Sequence, residues 1–223
     1  MQTLRTSASD LDAFRYYLAN DDADLADLIA QLRRETPPTP AMLAGTALHK
    51  ALELSTPGTY GQLSADGYTF TFASDAEIDL PEIREIKASR DYEIDGCCVT
   101  LVGKVDALHG RRIDDHKFTS RYDAERFLSS LQWRVYCDIF NADVFVWNVF
   151  EGRPASDDPK GYVINAVHTL AMHRYPGMRD DIERALKRYV DFARVHLPEK
   201  VIAVAPVKAP PRDVRDMNVL AAG

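Results

Sequence analysis

Residues 103–120, GKVDALHGRRIDDHKFTS, carry two carboxylates and an ammonium at a spacing that suits chemistry. The stretch reads as two β-strands joined by a tight turn at His109-Gly110, with Asp106 on the first strand and Asp115 and Lys117 on the second. Side chains alternate across a strand, so Asp115 and Lys117 share one face while Asp114 and His116 point to the other. That alternation favours Asp115 over Asp114 as the functional acid. Asp106 lies between Val105 and Ala107, where a surface carboxylate is less expected. The plainer alternative, an exposed Asp106–Lys117 ion pair, would be worth little to stability. A hairpin that gathers these groups is a poor core and a good cation site.

Mg²⁺ prefers oxygen ligands and keeps several waters, so two carboxylates and a backbone carbonyl suffice to hold it. Such an ion neutralises phosphoryl oxygens and makes a bound water nucleophilic near neutral pH. The chemistry indicated is hydrolysis of a phosphodiester. Lys117, two residues beyond Asp115, would orient the attacking water or stabilise developing negative charge. His49 joins only if its helix packs against the hairpin, and an imidazole ligand makes Mn²⁺ a good alternative metal.

The elements that must position these groups follow in chain order. Residues 7–10 offer helix caps before LDAFRYYLAN, and residues 21–35 read as a second helix with acids early and arginines late. After the PPTP break, a helix starts near Pro40 with Ala44, Leu48, Ala51 and Leu52 as its apolar stripe. Gly45, His49 and Glu53 fall four apart beside that stripe. Residues 57–80 are rich in Gly, Ser and Asp, with one strand around GYTFTFAS. A β-meander is expected from Ala88, with turns at Asp95-Gly96 and Gly110. Asp123 caps one continuous helix, AERFLSSLQWRVYCDIFN, burying Leu128, Leu131, Val135 and Ile139, with Gln132 and Tyr136 at the edge of that side. Two strands, VFVWNVFEG and GYVINAVHTL, precede a closing helix. Residues 201–223 read as a Pro-rich, extended tail. The layout is α+β or mixed α/β: a central mixed sheet with an antiparallel meander, flanked by helices. One domain over residues 1–200 is expected, helical over 1–55, with its core over 45–196.

In that order, GTALH at 45–49, GKVD at 103–106, DHK at 115–117 and QWRVY at 132–136 resemble the motif set of PD-(D/E)XK nucleases of the RecB type, which include phage-type recombination exonucleases. The resemblance implies a restriction-endonuclease-like core and a Mg²⁺- or Mn²⁺-dependent deoxyribonuclease. It implies His49, Asp106, Asp115 and the His116 carbonyl as metal ligands and Lys117 as the catalytic lysine. Gln132 and Tyr136 would support the site or touch DNA, and Thr119 would contact phosphate. Arg111, Arg112 and the basic residues at 208–215 are further phosphate contacts of low specificity. The resemblance further implies an exonuclease of recombination or DNA-end processing and repair, with DNA as substrate, a single-strand annealing or recombination protein as partner, and self-assembly into a homo-oligomer. A structure-specific or nicking endonuclease and a non-catalytic DNA-binding module are the alternatives.

Charge and composition bound these expectations. A net charge of −7 argues against coating nucleic acid by bulk attraction, but not against an enzyme with one basic groove. No apolar run approaches the ~20 residues of a membrane helix. Cys97, Cys98 and Cys137 are too few and too badly spaced for a disulfide framework or an iron–sulfur cluster, so reduced thiols and a cytoplasmic setting are expected.

Overall fold

Leu4 and Thr6 are buried, and the short run that carries them forms a strand, β1 (Gln2–Ser7), where no strand is expected. Six residues with one large apolar side chain give little periodicity; β1 exists because it pairs in parallel with a later strand. The computed structural model describes residues 1–81 and 83–203. Ser7 ends β1 and caps α1 (Ala8–Ala19) through a reciprocal box with Asp10. Helix α2 (Leu25–Leu32) is shorter than the expected 21–35, because Asp24 caps it and Arg34 turns into the left-handed region at φ 63. Helix α3 (Pro40–Leu54) starts at Pro40 under a Thr39 cap and buries Ala44, Leu48, Ala51 and Leu52, as its stripe predicts.

Residues 57–80 hold a hairpin of two strands, β2 (Gly58–Ala65) and β3 (Tyr68–Ile78), around a positive-φ turn at Asp66-Gly67. Strand β4 (Ile83–Ile94) begins before the expected Ala88, and the Asp95-Gly96 turn, both residues at positive φ, leads into β5 (Cys97–His109). Gly110, at φ 57, turns the chain into β6 (Arg112–Thr119).

The single helix expected after Asp123 is broken in two, α4 (Ala124–Ser129) and α5 (Gln132–Ile139). The break has a remote cause. The Asp12 carboxylate of α1 accepts hydrogen bonds from the Ser130 hydroxyl and, at 2.6 Å, from the Leu131 N–H. The turn this imposes leaves Leu128 42% exposed, against expectation, while Val135 and Ile139 are buried. Strands β7 (Val144–Pro154) and β8 (Gly161–His173), helix α6 (Met178–His196) and a 3-10 turn follow. Residues 201–203, expected as tail, form β9 (Val201–Ala203) antiparallel to β1; residues 204–223 lie outside the described residues.

Among the described residues one nine-stranded mixed sheet results, in the order β2-β3-β8-β7-β6-β5-β1-β9, with β4 on β5. Helices α1, α5 and α6 share one apolar cluster with Val99, Leu101, Val105, Phe145 and Trp147 of the sheet, and α3 closes a second with Phe70, Phe72, Phe150 and Ile164. Strand β5 is where the layout matters. β4 pairs with it from Cys97 to Leu108, whereas β1 takes its other edge at Cys97–Val102 and β6 takes that edge at Ala107–His109. Gly103, Lys104, Val105 and Asp106 therefore face a gap between β1 and β6.

Candidate active site

The gap is where the predicted residues meet. Beyond Ala107 and Asp114 the β5–β6 ladder stops, and the Asp106 carboxylate takes the place of a strand carbonyl, accepting the His116 N–H at 2.7 Å. Its other oxygen lies 3.2 Å from His49 Nδ1, so α3 does pack against the hairpin and delivers its histidine. On β6, Asp115 and Lys117 share a face as alternation requires, and their charged ends are in contact. Gln132 Nε2, from the first turn of α5, donates to the other Asp115 oxygen at 2.7 Å. The Lys117 ammonium also lies 5.2 Å from the centroid of the buried Trp147 ring, which steadies it by cation–π attraction.

Burial sets the titration of these groups. Asp115 is 1% exposed, and burial pushes its carboxyl up to about 6, with Asp106 adding and Lys117 opposing. Burial alone would also raise Asp106, but the His49 hydrogen bond and the charges of His49 and Lys117 reverse this and hold it well below the usual carboxylate range. Lys117 is lowered by burial and raised by more through Asp115 and Asp106, so it stays an ammonium. Its side chain remains 32% exposed, leaving it reachable from outside. Burial drops the His116 imidazole to about 4, and its buried Nε2 has no partner among the described residues.

Gln132 is positioned by a chain that begins far away. Asp12 holds Ser130, and the Ser130 hydroxyl accepts the Gln132 N–H at 3.0 Å, fixing the start of α5 from which Gln132 reaches Asp115. Asp12 and Ser130 carry no local signal in the sequence; only the packing of α1 reveals them. Tyr136, one turn on, lies against Gly103. A Cβ at Gly103 would stand 2.9 Å from the Tyr136 ring, so the residue must be glycine for the ring to reach the gap. Burial, with Asp115 nearby, raises the Tyr136 hydroxyl and keeps it protonated. Gly103→Ala is expected to cost about 1–3 kcal/mol by overpacking, read from denaturant unfolding, and to displace Tyr136.

The other predicted residues are distributed unevenly. Thr119 follows Lys117 on the same alternation, where its hydroxyl donates to the Arg121 carbonyl at 2.9 Å and closes the turn after β6. Arg111 and Arg112 are not brought to the site: they lie at the far end of β6, Arg111 paired with Asp143 and Arg112 with Asp114 at 2.6 Å. Asp114 also accepts from Asn148, which explains the second acid without a catalytic role. Glu53 pairs with Lys50. The basic residues at 208–215 lie outside the described residues.

Oxygen donors with an imidazole suit a hard divalent cation. Among the described residues, however, no three His, Cys, Asp or Glu side chains converge on one point. Asp106 is occupied by His49 and His116, and Asp115 by Lys117 and Gln132. Binding an ion would exchange the His49–Asp106 and Lys117–Asp115 contacts for metal contacts.

No family model and no curated protein matches the chain. Solved structures do. A protein from Eubacterium rectale, described as a candidate exonuclease, superposes at TM-score 0.52 with 10% identity, over 96% of this chain and 92% of its own. The protein SSO0001 superposes at TM-score 0.51 with 14% identity, over 84% and 76%. The chain shares its fold, a mixed sheet flanked by helices, with these two structures. An alkaline exonuclease of Laribacter hongkongensis also matches, at TM-score 0.41 and 13% identity, over 87% of this chain and 90% of that one. Within this fold, the sheet gap at residues 103–106 and the helix α5 behind it are the features that assemble the site. Among the described residues, no helix is long and apolar enough to cross a membrane.

Proposed function

We propose that the chain is a metal-dependent deoxyribonuclease that hydrolyses phosphodiester bonds, working as an exonuclease in recombination or DNA-end processing. The observation that carries this reading is the convergence of Asp106 with His49, and of Asp115 with Lys117 and Gln132, at one break in the sheet.

When bound, Mg²⁺ or Mn²⁺ would neutralise the phosphoryl oxygens and acidify a water. Asp106 and Asp115 would hold it, with His49 and the His116 carbonyl completing the set. The protein's own contribution is positioning and charge. Lys117, freed from Asp115, presents an ammonium to the attacking water or to the charge developing on phosphorus-bound oxygen. Gln132 keeps the Asp115 carboxylate from rotating while that exchange occurs. Tyr136, protonated, can donate a hydrogen bond toward the substrate. Lys117 stays an ammonium, so its part is charge and orientation and not proton abstraction.

Digestion of linear and closed-circular double-stranded DNA with Mg²⁺, Mn²⁺ or EDTA tests the reading. Metal-dependent loss of linear DNA only is the expected result. Cutting of the circle would replace the exonuclease with an endonuclease, and no cleavage with DNA binding intact would leave a binding module.

The raised Asp115 value adds a pH dependence. A proton must leave this carboxyl before it can ligate a cation, so below about pH 6 protons compete with metal. Apparent Mn²⁺ affinity, measured by calorimetry, is expected to fall toward about tenfold per pH unit below that point. Affinity that stays flat down to pH ~4.5, near the usual carboxylate range, would remove Asp115 from the ligand set.

A further inference from the structure

Alternation puts Thr100, Val102, Lys104 and Asp106 on one side of β5. Register then places Arg5 beside Thr100 and Ser7 beside Val102 on β1, and Lys87 beside Lys104 and Ser89 beside Val102 on β4. Most of these residues border an open trough of about 470 Å³, floored at its inner end by Gly103 and Tyr136. Through Arg5, Ser7 and Val102 the trough runs on into a second hollow of about 500 Å³ that adds Arg34, Lys200 and Thr100 and one carboxylate, Asp10.

The charges along it are unusual for this chain. Its net charge is −7, yet among the described residues no carboxylate lines the first trough, which has Arg5, Lys87 and Lys104 on its walls. Lys104 pairs with Glu85 and Arg34 with Asp10. Arg5 and Lys87 are exposed and make no ion pair among the described residues. An acidic protein repels a polyanion at long range, so any polyanion it handles must be held by local cations such as these.

We propose that this trough carries the phosphodiester backbone of a single nucleic-acid strand from the cleavage site at Asp106 across β5 to Arg5. The inference rests on the nuclease reading and specifies how its substrate lies. The trough spans β4, β5 and β1, two strand spacings or roughly 10 Å, which seats one strand and not the width of a duplex. The Lys87–Lys104 level and the Arg5 level are four residues apart along β5, roughly 13 Å, so they meet different phosphates of that strand. Contacts of this kind position the substrate and read no sequence.

The test uses the full chain with Asp115→Asn, to prevent cleavage, and a fluorescein-labelled oligothymidylate followed by anisotropy against salt concentration. Arg5→Gln and Lys87→Gln are each expected to weaken binding about three- to tenfold and to reduce the slope of log affinity against log salt by about 0.7. Arg5→Lys should restore the slope, and Lys160→Gln, away from the trough, should leave both unchanged. Thermal melts identify a variant that fails to fold, in which case the remaining one decides. Variants that melt like the parent and bind with unaltered affinity and slope overturn the trough while leaving the nuclease reading intact. A parent that binds no oligonucleotide, together with a wild type that cleaves nothing, overturns both.

Discussion

Asp115→Asn is expected to abolish metal-dependent cleavage, by on the order of 10³-fold or more, while leaving the protein at least as stable as wild type above pH ~7. The two halves of this result have one cause. Asp115 is buried, and its carboxyl is raised to about 6 even with the Lys117 ammonium in contact. A carboxyl whose folded value lies above its unfolded value of about 4 favours folding while protonated. That contribution is present below about pH 4 and is lost as pH rises through about 6. Asparagine has no charge to desolvate and still accepts from Gln132, so the substitution removes a cost that wild type carries at neutral pH. Melting curves at both ends of this range check the sign: the advantage of Asp115→Asn should shrink on acidification. A variant that loses activity and is also destabilised at neutral pH would mark Asp115 as a structural partner of Lys117. Lys117→Ala should lose about 10²- to 10³-fold in rate and shift the acid limb of the profile upward, because the cation that opposes protonation of Asp115 is gone.

Asp138→Ala carries the largest expected loss of stability, about 3–5 kcal/mol. Asp138 is 1% exposed and gathers three donors, two from β4 and one from the residue after β8: the Tyr92 hydroxyl at 2.6 Å, Arg90 at 3.1 Å and Arg174 at 3.4 Å. Removing it strands the buried Tyr92 hydroxyl and two partly buried guanidinium groups on the face of α5 opposite the site. For a chain of this size each kcal/mol moves the midpoint by roughly 2–4 °C, so thermal unfolding should drop by roughly 6–20 °C. Asp138→Asn, which still accepts from Tyr92, should lose less. A drop under about 2 °C in the alanine variant would show that the arginines relax into solvent without cost.

The site was more legible than the sheet that holds it. Two-residue alternation is a local rule, so the sharing of a face by Asp115 and Lys117, and the preference for Asp115 over Asp114, could be read from eight residues of β6. His49 required one tertiary step, the packing of α3 on the hairpin, and its stripe of buried leucines and alanines signalled that step. Strand β1 had no such signal, since its partner lies at Cys97–Val102. The break between α4 and α5 was equally invisible: helical periodicity runs through Ser130, and the carboxylate that interrupts it belongs to Asp12, on another helix. Arg111 and Arg112 show how little composition says about partners. Their basic character suggested phosphate; Arg112 pairs with Asp114 of its own strand and Arg111 with Asp143, just before β7.

The unpaired edge of β5 at Gly103–Asp106 has a mechanical meaning. On one side of it lies the β1–β9 flank, on the other β6 and the strands beyond, and between them a stretch of backbone pairs with no strand on that side among the described residues. The molecule resembles a pair of jaws joined along β4 and β5. Asp106 stands at the joint and Asp115 on one jaw, so the geometry of the joint sets the separation of the two carboxylates. Helix α5 spans the joint from behind, with Gln132 on Asp115 and Tyr136 on Gly103, and so acts as the brace that sets the bite.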